Sequence, residues 1–178
     1  MHILLNALLF QLAWWICVLS VSNDFEIKAL LLCSLLGALQ LHLSQAKEKD
    51  LKLLAKVLPA GILIDTLIQQ LGLMDFYGWT LSGMSPLWLW MIWIQFIMTI
   101  NHSLRFINDL TRPWVALLGF VFGPLSYFSG AKLGAASSHF TWLQTTALCL
   151  IWATVLPLVV WINKHEDAKS LQHNVLEP

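Results

Sequence analysis

From Ile3 to Ser22 the chain runs twenty residues without one charged side chain. That is the length of helix that crosses the hydrocarbon layer of a bilayer. Such a run belongs either to the core of a large protein or to lipid, and the size of the chain decides between them. At 178 residues there is too little protein to bury several runs of this kind. Charged residues make up only 11% of the chain, against ~25% in soluble domains. Twenty charges cannot cover the surface of a globular domain of this size. Lipid removes the need for such a surface. The composition therefore excludes a soluble enzyme, a nucleic-acid binder and a disordered chain.

Further apolar runs cover residues 27–43, 51–74, 86–107, 113–127 and 140–162. Six spans of ~20 residues would use ~120 positions and leave ~58 for loops and tails. The expected fold is all-α, a polytopic bundle of about six transmembrane helices occupying residues 1–163. A polar cytoplasmic tail, 164–178, follows. The first run lacks a preceding basic residue and a following small-residue cleavage site, so it is expected to stay as a helix. The fifth is expected to break at Gly123-Pro124, where proline removes a backbone hydrogen bond. Small residues from Gly130 to Ala136 would let backbones approach closely there.

Ten basic and ten acidic residues cancel, but their positions are informative. With the N-terminus inside, the inner segments hold Lys47, Lys49, Lys52, Lys56, Arg105, Arg112, Lys164 and Lys169, and the outer ones only Lys28 and Lys132. This positive-inside bias places both termini in the cytoplasm. Most of the ten tryptophans read as interfacial anchors. Cys17, Cys33 and Cys149 lie in apolar runs with no CxxC spacing, so they read as packing residues, neither a disulfide framework nor a zinc site.

Polar side chains at membrane depth should face the interior and find partners. Asp65 lies near the middle of the third run, and Gln69 one turn further on the same helical face. Gln95, Thr99 and His102 form a polar stripe on the fourth run, with Asn101 and Arg105 beside it. Asp65 and this stripe are expected to share one interior cavity, because their helices are joined by a short loop. Tyr127 follows the expected break. These eight residues are the candidate ligand-binding set. Three of them also have a plainer reading: an interhelical hydrogen bond for Asp65 and His102, and snorkelling to the interface for Arg105. Asn6 and Gln11 read as structural bonds between helices. No HxxxH or HExxH occurs, so no metal and no cofactor is expected. No nucleophile stands paired with a base, and no residue is assigned as catalytic.

Several segments occur together in order: Gln11-Leu12-Ala13-Trp14, then Pro59-Ala60-Gly61 with Asp65, then Pro86-Leu87-Trp88-Leu89 with Asn101-His102-Ser103-Leu104-Arg105. The densest part is Gly123-Pro124-Leu125-Ser126-Tyr127 with Gly130 and Leu133-Gly134-Ala135. Across nearly its whole length the chain resembles a small bacterial integral-membrane family catalogued only as a domain of unknown function. The resemblance implies a lipid context and carries over no catalytic residue.

The leading functional expectation is binding or handling of a lipid or other apolar small molecule through a buried polar cluster, with membrane lipid as the surrounding partner. The alternatives are a membrane-embedded lipid-modifying enzyme using Asp65 or His102, a small proton- or cation-coupled transporter, and a membrane assembly factor.

Overall fold

A computed structural model describes residues 2–176, with side chains through His165. Six α-helices carry the fold: α1 (Ile3–Ser22), α2 (Glu26–Leu43), α3 (Lys47–Gln70), α4 (Leu87–Ile100), α5 (Arg112–Lys132) and α6 (Trp142–Leu176). Two short strands, β1 (Asp75–Phe76) and β2 (Ala136–Ser137), pair antiparallel and join the α3–α4 and α5–α6 loops. The side chains of the expected tail beyond His165, Lys169 among them, lie outside the described residues.

The helices alternate in direction. The α1–α2, α3–α4 and α5–α6 connections gather at one end, where the Trp79 amide donates to Glu26 Oε2 at 2.8 Å. At the other end the Ser103 hydroxyl donates to Asn6 Oδ1 at 2.6 Å, bringing the start of α1 to the α4–α5 connection. The first end carries Lys28 and Lys132, and the second the other basic residues whose side chains are described.

Helices α1, α2 and α5, and α6 as far as His165, are each long and apolar enough to cross a membrane. Their outward faces expose large apolar side chains such as Leu4, Leu8, Leu31, Leu35, Phe122 and Leu150. The interior holds Asn6, Gln40, Asp50, Asp65, Gln95 and His102, none more than 6% exposed. Polar groups inside and apolar groups outside is the arrangement that lipid favours and water penalises.

Three expectations are corrected. Helix α4 ends at Ile100, so His102 and Arg105 lie beyond it, and Arg105 opens a 3₁₀ turn (Arg105–Asn108). The early end is tolerated because side chains receive the carbonyls that a helix terminus leaves free. Asn6 Nδ2 donates to the Met98 carbonyl at 3.1 Å and Asn108 Nδ2 to that of Ile100 at 3.2 Å. Helix α5 is not broken at Gly123-Pro124 but runs through Pro124 to Lys132. Proline removes one hydrogen bond without forcing the chain out of helix, and α5 packs closely on α6 along this stretch. The chain leaves the helix only at Leu133, before Gly134 at φ +85°. Finally, α3 starts at Lys47 and ends at Gln70, so Asp65 sits five residues from its end and not at its middle. At 1.5 Å per residue that is ~7.5 Å below the sparsely charged end of the bundle.

The tryptophans also divide differently from the expectation. Trp15, Trp79, Trp114, Trp142 and Trp161 are exposed, whereas Trp14, Trp88 and Trp93 are buried. An indole N–H with an internal acceptor is better placed inside, as when Trp88 donates to the Tyr77 carbonyl at 2.8 Å.

Candidate functional site

Asp65 is 1% exposed, and both its oxygens are engaged. Trp93 of α4 donates its indole N–H to Oδ2 at 2.7 Å, and the Tyr127 hydroxyl of α5 donates to Oδ1. Trp152 of α6 stacks on Trp93, with ring centroids 5.5 Å apart and planes within 8°. One carboxyl thus gathers α3, α4 and α5, and the stacked indoles add α6.

Two glycines make room for these rings. A Cβ on Gly61, one turn before Asp65, would lie 2.3 Å from the Trp93 ring. One on Gly123, one turn before Tyr127, would lie 2.1 Å from the ring of Trp152. Each polar residue is therefore preceded on its own helix by the slot that admits the neighbouring indole. This close approach explains the glycine of Gly123-Pro124 better than a helix break does.

Beside this group lies a cavity of about 890 Å³, walled by α1 on one side and α5 on the other. Trp93, Asp65 and Tyr127 contribute to its lining, with Gln11 and Trp14 on the α1 wall and Ser126 and Lys132 on the α5 wall. Phenylalanines 10, 96, 106, 122 and 128 make most of the rest apolar. Helix α1 packs on α2 and α4, and α5 on α6, which leaves the flank between α1 and α5 open. Across that flank the Trp14 indole donates to Ser126 Oγ at 3.1 Å.

The rest of the candidate set lies elsewhere. Gln69 does not bond Asp65, and its Oε1 has no hydrogen-bond partner among the described residues. Gln95 turns to α2, donating to the Cys33 carbonyl at 2.9 Å. The Thr99 hydroxyl donates to the Phe96 carbonyl of its own helix at 2.6 Å. The expected shared cavity of Asp65 and the α4 stripe is therefore not formed, because it is Trp93 that reaches Asp65 from α4 while Gln95 turns to α2. Arg105 is exposed at the basic end.

His102 and Asn101 join a second buried cluster at that end. Asp50 Oδ2 accepts from the Ser44 hydroxyl at 2.5 Å and lies 2.9 Å from His102 Nε2, while Oδ1 accepts from Asn101 Nδ2 at 2.9 Å. Neither Asp50 nor Ser44 is among the residues singled out from the sequence. A signal for Asp50 exists: the buried face of α3 runs Asp50, Leu53, Val57, Gly61, Asp65, so counting back by turns from Asp65 reaches it. The cluster holds three segments together, and none of its four residues lines the cavity.

Of the cysteines, Cys17 and Cys33 meet in the core with sulfurs 3.4 Å apart, and all three are free thiols.

Several helices of membrane-crossing length, polar groups turned inward and an apolar cavity open on one flank define a helical membrane protein. Its family is that of the model described as "Protein of unknown function (DUF2878)", which matches residues 3–158, and the chain belongs to it. No curated protein and no solved structure matches the chain.

Proposed function

We propose that the protein is a multi-pass component of the bacterial inner membrane that binds a lipid or other apolar small molecule in the cavity between α1 and α5. The observation that carries this reading is the cavity itself: about 890 Å³, mostly apolar, and walled by two helices of membrane-crossing length. Pockets of this volume and character are the usual size for lipophilic ligands. Asp65, Trp93 and Tyr127 fix the shape of its wall. Binding is favoured over catalysis because both oxygens of Asp65 already accept hydrogen bonds and His102 lies outside the cavity. Native mass spectrometry of the full chain, extracted in mild detergent, tests the reading. The wild type should retain one lipophile per chain, and Ser126→Phe, which fills the mouth, should lose it. No retained lipophile, or equal retention by both, would overturn the proposal.

The orientation has both termini in the cytoplasm, supported by the concentration of basic residues at one end of the bundle. In a background lacking native cysteines, a membrane-impermeant maleimide applied to spheroplasts should label Ser82→Cys and spare Gln45→Cys. The opposite pattern would reverse the orientation.

A further inference from the structure

Most polar groups of this bundle are turned inward and paired, but on the cavity wall the buried indole N–H of Trp152 and the amide of Gln11 have no partner among the described residues. Gln11 is an exposed residue of α1 lining the cavity, and no hydrogen bond ties its amide to the described residues. It does not serve as glue between helices, as Asn6 does. Gln11 is the ninth of the twenty residues of α1, which puts it at the middle of the span. At that depth a bare primary amide against acyl chains finds nothing to donate to or accept from. Ser126 stands on the facing wall. Its oxygen accepts from Trp14, and no described acceptor takes its O–H. Trp14 is three residues from Gln11 on α1, about one helical turn, so its bond to Ser126 brings that hydroxyl to the same stretch of the cavity as the Gln11 amide.

The other polar groups of the cavity narrow the choice of ligand. Asp65 is the carboxyl of the lining and already accepts from Trp93 and Tyr127, while Lys132 at the end of α5 lies over the Phe128 ring, so neither charge is turned to a head beside Gln11. The phosphate of a phospholipid belongs at the interface, and its acyl chains present nothing to an amide at mid-depth. We infer that the ligand is an uncharged lipophile whose head carries two hydrogen-bond-accepting oxygens and is held between Gln11 and Ser126. A quinone ring on an isoprenoid tail has this chemistry: the Gln11 amide N–H donates to one carbonyl, the Ser126 O–H to the other, and the tail leaves through the open flank. This inference rests on the cavity being a ligand site, as proposed above, and adds the class of ligand.

The test uses decylubiquinone and the purified full chain in detergent, with quenching of tryptophan fluorescence as the readout, since Trp14, Trp15, Trp93 and Trp152 line the cavity. Quenching should saturate at one equivalent. Gln11→Leu and Ser126→Ala should each weaken binding about fivefold to tenfold, the effect of one lost hydrogen bond, and their melting temperatures should show that the fold is kept. Non-saturable quenching, or unchanged affinity in Gln11→Leu, would overturn the inference. A protein that retains a phospholipid yet ignores decylubiquinone overturns the quinone and leaves the cavity reading standing. A protein that binds no lipophile of any kind overturns both.

Discussion

Replacing Asp50 by leucine is expected to cost about 3 kcal/mol or more and to loosen the basic end of the bundle. Asp50 is fully buried, and its two oxygens face Ser44, Asn101 and His102, drawn from the α2–α3 turn and from the turns after α4. Leucine keeps the branched outline of aspartate but is bulkier, so overpacking adds to the loss. The polar groups it strands are what matter, at ~1–3 kcal/mol for each buried donor left without an acceptor. In a chain of this length a loss of that size lowers the melting temperature by ~6–12 °C. Circular dichroism of the full chain in detergent measures it. Asp50→Asn should fall between the two, because its carbonyl still accepts from Asn101 while its NH₂ faces groups that had been donating. A leucine variant that melts with the wild type would mean that the cluster holds nothing together.

The broad architecture could be read before any coordinates because hydrophobic run length and charge spacing are strong signals in a chain that lipid must accept. The ends of elements were less legible, for identifiable reasons. The apolar pattern of α4 continues through Ile107, and nothing local says that Asn6, almost a hundred residues earlier, will receive the carbonyl of Met98 and let the helix stop. Gly123-Pro124 looks like a break by its local chemistry. The glycine is there as the seat for the ring of Trp152, and the helix runs on through Pro124. For the site, Asp65 and Tyr127 were both singled out, but pairing them requires knowing that α5 lies across α3. Their third partner, Trp93, was hidden among ten tryptophans that composition alone assigns to the interface. Asp50 sits in a run of charges that reads as a solvated loop, until the helical face of Asp65 is followed back to it.

Asp65 itself should separate stability from ligand binding. In Asp65→Leu the indole N–H of Trp93 and the hydroxyl of Tyr127 lose their acceptor in an apolar interior. The expected cost is ~2–6 kcal/mol, two stranded donors at ~1–3 kcal/mol each. Asp65→Asn keeps one carbonyl oxygen, enough for Tyr127, and sets its NH₂ against the Trp93 donor, so only one contact is spoiled. The asparagine variant should therefore fold with a modest drop in melting temperature while holding the retained lipophile less firmly, because the Trp93 side of the cavity wall has shifted. The leucine variant should lose both stability and ligand. Adding Tyr127→Phe to Asp65→Leu removes one of the stranded donors. If the hydrogen bonds are what Asp65 supplies, the double variant should regain part of the loss and cost less than the sum of the single changes. Strictly additive costs would show that Asp65 and Tyr127 act independently, and the paired carboxyl and phenol could then not be what joins α3 to α5 beside the cavity.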